Sequence, residues 1–319
     1  MSKFKKLCGI FFSILFLWLA LRKIDFHAMP AVLSTINKSF FGLMILSYTV
    51  EMLTRVHRWL IIQPNEKITF KHSFNGLILT YFFNNILPAR AGELFRPYYF
   101  AHKNLATSGE TLGAVVLERF FDGVMLLGLI LISLQQFSGN EILQKASIIT
   151  AIFYGMVFIF ILLAIFKKEL FEKAVKWCLS FLPQKASDFL YNIAMKFVDG
   201  LSTIKDFKRL LKILLSSVFC WASSVLTAWL CFKAFGFGES FITASFVLTV
   251  LSISSMIPAS PGTLGVYEYF CIFLLSTILG HTPEEGAAFS IILHGISYFY
   301  ILILGFIIAF IEGIKFKSE

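Results

Sequence analysis

The chain has 319 residues, of which 57% are hydrophobic and 15% charged, and its mean hydropathy is +0.79. Soluble domains are roughly half apolar with about a quarter of their residues charged, so this composition excludes an ordinary soluble domain. The net charge of +9 fits either nucleic acid or an anionic membrane surface. Because no basic arm stands beside a soluble fold, we expect anionic membrane lipids as partners and no nucleic acid.

Apolar stretches long enough to cross a membrane as helices recur along the chain. They cover residues 7–26, 39–62, 110–137, 147–166, 210–236 and 284–312. Two further stretches, 73–103 and 241–280, are interrupted by Pro88 and by Pro258 and Pro261. Backbone groups freed by such a break cannot face lipid. Each broken stretch is therefore predicted to line an enclosed cavity or to form a re-entrant hairpin.

The two broken stretches repeat one another. Residues 86–94 align with 256–264, an offset of 170 that also pairs Trp59 with Trp229 and Ser47 with Ser217. We therefore predict an all-α integral membrane protein with a single membrane domain, 1–319, built from two repeats, 1–137 and 147–312. Each repeat would hold three transmembrane helices and one re-entrant hairpin broken at Pro and Gly. An odd number of crossings makes tandem repeats inverted, the arrangement common in transporters.

Basic residues predict the topology. Lys and Arg cluster at 3–6, 67–103, 167–212 and 315–317, and positive loops are usually cytoplasmic. With both broken stretches as hairpins, all four clusters fall on one side, so both termini are expected in the cytoplasm.

Residues 167–209 are predicted to form a cytoplasmic amphipathic basic segment. Leu170, Ala174, Trp177 and Phe181 recur at helical spacing, and Pro183 separates them from a second such run. Two helices lying on the membrane surface, with lysines toward lipid phosphates, explain this pattern. A solvated connector is the alternative.

Charged residues also occur inside the apolar stretches. Each would cost about 2.5–3.5 kcal/mol at mid-bilayer, so they are expected to face inward or to lie near an interface. They are Glu51, Arg55, Arg58, Arg90, Glu93, Arg96, Glu118, Arg119, Asp122 and Glu268.

Arg90 and Arg96 are the candidate anion ligands. Arg90 follows Pro88 at the break, where unpaired backbone N–H groups can help to hold an anion. Glu93 can fully pair with only one of the two arginines, and arginine binds phosphate in bidentate fashion. Glu118 and Asp122 share one face of their helix, with Arg119 about 100° away. The two carboxylates could hold an arginine in place or exchange protons.

The second broken stretch has a different chemistry. Ser260, Gly262 and Thr263 are small, so they could contact substrate or simply let the two broken stretches pack closely. Glu268 lies two helical turns further on. His294 is either a satisfied packing residue or a group that binds a proton or a headgroup. No catalytic, nucleotide-binding or metal-binding motif is present, so we expect no cofactor, no metal and no enzymatic activity.

Three motifs resemble the flippase-like membrane domain of lysylphosphatidylglycerol synthases. The resemblance is carried in chain order by Asn85-x-Leu87-Pro88-x-Arg90-x-Gly92-Glu93-x-x-Arg96, Glu118-Arg119-x-x-Asp122 and Pro258-x-Ser260-Pro261-Gly262-x-x-Gly265-x-x-Glu268. Thr263 stands where that family usually has a second glycine.

The resemblance implies a bacterial or archaeal membrane protein that moves or handles lipids. The chain ends at Glu319, so the soluble aminoacyl-transfer activity of the synthases is not expected here. Two hypotheses follow. One is a translocase for an anionic phospholipid or polyprenyl-phosphate lipid. The other is a non-transporting scaffold or partner subunit for a lipid-modifying enzyme.

Overall fold

The computed structural model is helical in every regular element that it describes. The predicted helix over 147–166 and the greater part of that over 7–26 lie outside the described residues, as does Ser260. The described residues are 15, 18–19, 21–22, 24–25, 27–63, 65–134, 148, 152, 155–156, 159, 167–201, 206–257 and 261–314.

The described helices follow the apolar pattern of the sequence. In chain order they are α1 (Met29–Ser34), α2 (Ser39–Ile62), α3 (Phe70–Ile86), α4 (Phe95–His102), α5 (Ser108–Leu134), α6 (Lys168–Leu179), α7 (Gln184–Leu201), α8 (Phe207–Ala234), α9 (Phe241–Ser254), α10 (Val266–Phe273) and α11 (Pro283–Ile311). The predicted helices over 39–62, 110–137, 210–236 and 284–312 are confirmed within three residues at either end.

Both broken stretches contain a short 3₁₀ segment. The first break is Pro88–Leu94, between α3 and α4, and the second break is Pro261–Thr263, between α9 and α10. Proline cannot donate the backbone hydrogen bond that would continue a helix, and each segment begins with one. A π-helical turn, Leu274–Ile278, follows α10 directly.

Side chains next to the helix starts set where α9 and α11 begin. The Ser240 hydroxyl accepts a hydrogen bond from Thr243 N. Thr282 and Glu285 form a reciprocal capping box, in which Glu285 N donates to the Thr282 hydroxyl and Thr282 N donates to the Glu285 carboxylate. Pro283 then occupies the first position of α11, where no N–H is needed.

The chain forms two compact units. The first unit comprises Met1–Met52, Phe74–Phe95 and Ala222–Glu319, and the second comprises Leu53–Ser73 and Arg96–Trp221. In the first unit, α11 packs against α10 and α1. In the second unit, α7 packs along α5, and α6 packs against α7.

Length and composition identify three membrane-crossing candidates among the described helices: Phe207–Ala234, Pro261–Ile278 and Pro283–Ile311. The surface of α11 supports this assignment. Its exposed residues Phe299, Ile303, Phe306 and Phe310 recur along one helical face, and Phe310 is 81% exposed. A continuous apolar stripe of this length is suited to lipid.

The basic segment contains the helices α6 and α7, and apolar side chains in and just after α6 lie on two faces. Phe171 and Val175 are buried. Trp177 and Phe181 are 69% and 77% exposed, with ring centroids 5.9 Å apart. The sequence pattern identified this second, outward stripe and did not identify the buried face.

The first break lies directly on α3, and glycine makes this contact possible. A Cβ atom at Gly92 would collide with the carbonyl oxygen of Thr80 and would lie 2.6 Å from the backbone nitrogen of Asn84. Both are backbone atoms of a helix, so they cannot move aside as the end of a flexible side chain could.

Gly92→Ala should therefore destabilise the protein by more than the roughly 1–3 kcal/mol that an overpacked site usually costs, because the added methyl group meets backbone atoms. Gly128→Ala is the matched control, because nothing lies within 4 Å of the added methyl group in α5. That variant should be neutral or slightly stabilising, since alanine favours helix by about 1 kcal/mol over glycine. Thermal unfolding in detergent compares the two, and equal transitions would contradict the close approach at Gly92.

Candidate functional site

The second unit contains a cluster of charges between apolar helices. We call the following residues the buried charge cluster: Arg55, Arg58, Arg96, Glu118, Arg119 and Asp122.

Asp122 is the carboxylate with the most contacts in this cluster. Its Oδ1 lies 2.8 Å from Arg58 Nη1 and accepts a hydrogen bond of 3.1 Å from Trp221 Nε1. Its Oδ2 accepts a hydrogen bond of 3.1 Å from Arg119 Nη1, one helical turn earlier in the chain. Arg55 Nη1 lies at 3.8 Å, with its guanidinium 5.7 Å from the Trp221 ring centroid. One carboxylate thus connects α2, α5 and α8.

Glu118 joins α5 to α2 and also to α4. Its Oε1 lies 3.3 Å from Arg58 Nη2, and its Oε2 lies 2.5 Å from Arg96 Nη1. The side chains of Arg58 and Glu118 are fully buried, and that of Arg96 is 1% exposed. The Arg96 guanidinium also stacks over the Trp59 ring, 4.3 Å from its centroid. These contacts give each of the buried charges an opposite charge at close range.

The arrangement of the carboxylates on α5 agrees with the sequence analysis, and the surroundings of the arginines add to it. Glu118 and Asp122 share the inward face of α5, as the spacing predicts, and Arg119 lies aside with a third of its side chain exposed. Arg96, named as a candidate anion ligand, is buried in this arrangement and paired with Glu118. Arg58, the central cation, was recognised only as one of several charges. Two carboxylates four residues apart in an apolar helix were the signal that cations must face them.

The first unit contains the two breaks. Arg90 lies at the middle of the first break in the left-handed region, with φ of +54°, and both Arg90 and Glu93 are partly buried. In the second break Thr263 has φ of +58°. The left-handed region costs a residue with a Cβ roughly 1–2 kcal/mol, and a β-branched residue is a genuine outlier there. Both breaks therefore hold strained side-chain-bearing residues.

The two breaks pack against one another. Gly262 allows the contact: a Cβ atom there would lie 2.6 Å from Cε2 of Tyr298 and 3.7 Å from the carbonyl oxygen of Asn85. Tyr298 of α11 and Asn85 of α3 are joined twice, by Asn85 Nδ2 donating to Tyr298 O and by the Tyr298 hydroxyl donating to Asn85 O, each at 3.5 Å. Sequence reasoning did not identify Tyr298.

Glu268 and His294 form a pair beside the second break. Glu268 Oε1 lies 2.7 Å from His294 Nδ1, and Glu268 Oε2 accepts a hydrogen bond of 2.6 Å from Gly265 N. The His294 ring stacks on Tyr267 with centroids 4.2 Å apart. This pairing of two residues named from the sequence separately was not predicted.

The predicted site residues thus divide between the units. Arg90, Glu93, Gly262, Glu268 and His294 belong to the first unit. The remainder, except Ser260, belong to the second: Arg96, Glu118, Arg119 and Asp122. Across the described parts of the chain, no three His, Cys, Asp or Glu side chains are grouped as a metal site requires.

Long apolar helices, a lipid-suited outer face and ion pairs buried between helices define the class: the protein is a helical membrane protein with transmembrane helices. Residues 6–305 match the family model described as the lysylphosphatidylglycerol synthase TM region, and the chain belongs to that family.

The chain is also similar to a UPF0104 membrane protein of the archaeon Methanocaldococcus jannaschii. The two are 29% identical over 233 residues, which cover 72% of this chain and 94% of the relative. The similarity therefore spans nearly the whole length of that protein.

Glu118→Gln should destabilise the protein by about 3–5 kcal/mol, because it takes the paired carboxylate from the buried guanidinium of Arg96 and leaves Arg58 with Asp122 alone. Glu172→Gln is the control. Glu172 pairs with Lys176 at 2.7 Å on the surface of α6, where its hydrogen bond raises the pKa of the lysine but where water screens the charges. Thermal unfolding should show a large decrease for Glu118→Gln and little change for Glu172→Gln; similar values would contradict a stabilising role for the cluster.

Proposed function

We propose that the protein is a lipid translocase that moves an anionic phospholipid or a polyprenyl-phosphate lipid between the leaflets of a cell membrane. The phosphate would be held by Arg90 in the first break while the apolar tails stay in the bilayer. The observation that carries the proposal is the conformation of Arg90: a guanidinium on a strained backbone, in a break packed against a second break.

Backbone strain makes Arg90 informative. Glycine adopts the left-handed region without steric cost, so folding alone favours glycine at this position. Residues held in such conformations cluster at binding and switching sites, where the surrounding structure maintains them. The side chain present here is arginine, whose planar fork binds phosphate oxygens in pairs. Strain at a residue of this chemistry supports a binding role.

Family membership supports the same function, because the lysylphosphatidylglycerol synthase membrane region is associated with flippase-like handling of lipids. Within this proposal, Glu93 orients Arg90, Ser260 contacts the substrate, and Gly262 lets the two breaks approach each other. Movement of one break against the other would open the site to alternate leaflets.

The buried charge cluster has a supporting role in the proposal. Glu118 and Asp122 join helices of the second unit through their ion pairs, and Arg119 pairs with Asp122 within α5. For Arg96 to bind a phosphate, the phosphate would have to replace Glu118 as its partner. We therefore assign the first contact with the headgroup to Arg90.

Reconstitution in liposomes tests the function. Purified protein is incorporated with a fluorescent phosphatidylglycerol, and a membrane-impermeant quencher measures how fast the label reaches the outer leaflet. The wild type should transfer the anionic lipid faster than empty vesicles do. Retention of anionic lipid without any transfer would favour the scaffold or partner-subunit alternative.

Arg90→Gln should reduce both lipid transfer and co-purified anionic lipid by roughly tenfold or more, the loss expected for one charge-assisted contact of about 1.5–3 kcal/mol. Arg90→Lys should keep part of both, because it retains the charge without the bidentate grip. Arg90→Gly is the folding control, since it removes the guanidinium while relieving the backbone. Native mass spectrometry counts the retained lipid, and unchanged lipid and transfer in Arg90→Gln would place the binding site elsewhere.

The segment 167–209 is proposed to be cytoplasmic, and α6 supplies a natural probe of this topology. Cys178 is exposed, whereas Cys220, Cys231 and Cys271 are buried. In a Cys8→Ser background, an impermeant maleimide should label the protein in inverted membrane vesicles but not in intact cells. Cys178→Ser should abolish the signal. Ready labelling of intact cells would mean that this segment, and the predicted side of both termini, is wrong.

A further inference from the structure

The Glu268–His294 pair lies between α10 and α11 in the first unit. Its two nearest atoms are 2.7 Å apart, and the side chains are 16% and 12% exposed. At this distance the imidazole donates a hydrogen bond to the carboxylate, and a protonated imidazole also forms an ion pair with it. Histidine is the side chain whose ordinary titration range includes neutral pH.

The same carboxylate holds the second break in place. Glu268 Oε2 accepts the hydrogen bond from Gly265 N, which begins α10 two residues after Thr263. Gly265 has φ of +90°, a conformation suited to glycine, so this turn depends on local hydrogen bonds to keep its shape. A shift of the Glu268 carboxylate therefore weakens or breaks its hydrogen bond to Gly265 N, next to the second break.

His294 contacts the other side of the same break through Tyr298. The two rings meet edge to face, with centroids 5.9 Å apart, and the Tyr298 ring covers Gly262. Tyr298 is in turn bonded to Asn85, which precedes the first break. The imidazole is thus in contact with both segments through two short chains of interactions.

Glu268 and His294 are the groups that decide the charge here. Among the described residues, the titratable side chains around them are Tyr267 and Cys271 of α10, Tyr298 of α11 and, beside Tyr267, Cys231 of α8 and Tyr48 of α2. Tyrosine and cysteine are ordinarily neutral at pH 7. The charged residues Arg90 and Glu93 lie in the first break, which packs against the second.

We propose that the Glu268–His294 pair is a proton-binding site, and that an anionic lipid crosses the membrane together with a proton bound there. The crossing part of this inference rests on the proposed function. The contact with Glu268 places the hydrogen of the neutral imidazole on Nδ1, so an incoming proton binds at Nε2 and is later released from it. With the proton bound the pair is neutral overall; without it the pair carries one negative charge.

The charge of the pair gives the direction of the coupling. A phosphate held at Arg90 is repelled by a negative pair beside the second break, and it is not repelled by a neutral one. Headgroup binding and proton binding therefore favour one another, and the coupling is reciprocal. The protonated imidazole also strengthens its bond to Glu268, because bonds between charged groups are about twice as strong as neutral ones.

Hydrogen exchange tests the proton site without requiring any transport. The full chain in nanodiscs is compared between about pH 6 and pH 8, the range around the ordinary titration of histidine. After correction for chemical exchange, the backbone N–H groups that follow Pro261, up to Val266, should lose about tenfold protection at the higher pH in the wild type. His294→Gln, which keeps a hydrogen-bond donor but cannot titrate, should show no such change.

His281→Gln is the matched control, because His281 is also paired with a carboxylate, Glu239, at 2.6 Å. It should behave as the wild type does at residues 261–266. Protection that is independent of pH in the wild type, or that changes equally in His294→Gln, would overturn the proton site.

The joint crossing is tested in liposomes that contain fluorescent phosphatidylglycerol and an internal pH dye. A pH gradient should accelerate lipid transfer in one direction in the wild type and in His281→Gln, but not in His294→Gln. Transfer that ignores the gradient in the wild type would overturn the coupling while leaving the proposed function intact. If no lipid moves in any vesicle, the proposed function and the joint crossing both fail, and hydrogen exchange still decides whether the pair binds a proton.

Discussion

Charge inside an apolar protein is tolerated only where an opposite charge meets it, and Asp122 and Glu118 provide this for the second unit. Together they contact Arg55, Arg58, Arg96 and Arg119. Because ion pairs need close and directed geometry, they fix which residues of α2, α4 and α5 face one another, and the Trp221 hydrogen bond to Asp122 adds α8. Apolar side chains alone would let these helices slide against one another, because contact with lipid is as favourable for them as contact with another apolar helix.

In the first unit the backbone groups freed at the helix breaks have to be enclosed, and small residues and strained backbone conformations make this possible. Its helices stop at proline, and the freed backbone groups lie against protein where Gly92 and Gly262 allow close contact. Such irregular backbone at membrane depth is stable only when it is enclosed. The second break combines this close contact with the hydrogen-bonded pair of Glu268 and His294. The chain thus combines a unit with a buried cluster of ion pairs and a unit whose two helix breaks pack against each other.

Much of the helical architecture was predictable because it is local. The helix over 39–62 was placed at the observed residues, and the breaks at Pro88 and Pro261 follow from the missing proline N–H. The turn between α6 and α7 follows from Pro183 in the same way. The inverted relation of the repeats remains a prediction, since it concerns parts of the chain that the described residues do not cover.

The contacts of the candidate site were less predictable, because they depend on how helices are rotated and shifted against each other. Two carboxylates on one face of α5 indicated that cations were needed, but not that Arg58 would reach both. The sequence likewise separates Glu268 from His294 by 26 residues, and only packing brings them to 2.7 Å. The left-handed conformations of Arg90 and Thr263 could not be predicted either, since neither residue type favours them.

The left-handed conformations of Arg90 and Thr263 bear on the free energy of this arrangement relative to other conformations of the protein. Each left-handed residue costs on the order of 1–2 kcal/mol, so a conformation that returned both to ordinary angles would gain a few kcal/mol. That gain is comparable to the free-energy differences that keep a minor state populated at the per cent level. The apposed breaks therefore raise the energy of the described arrangement toward that of its alternatives, and a modest ligand or charge change becomes enough to shift the balance.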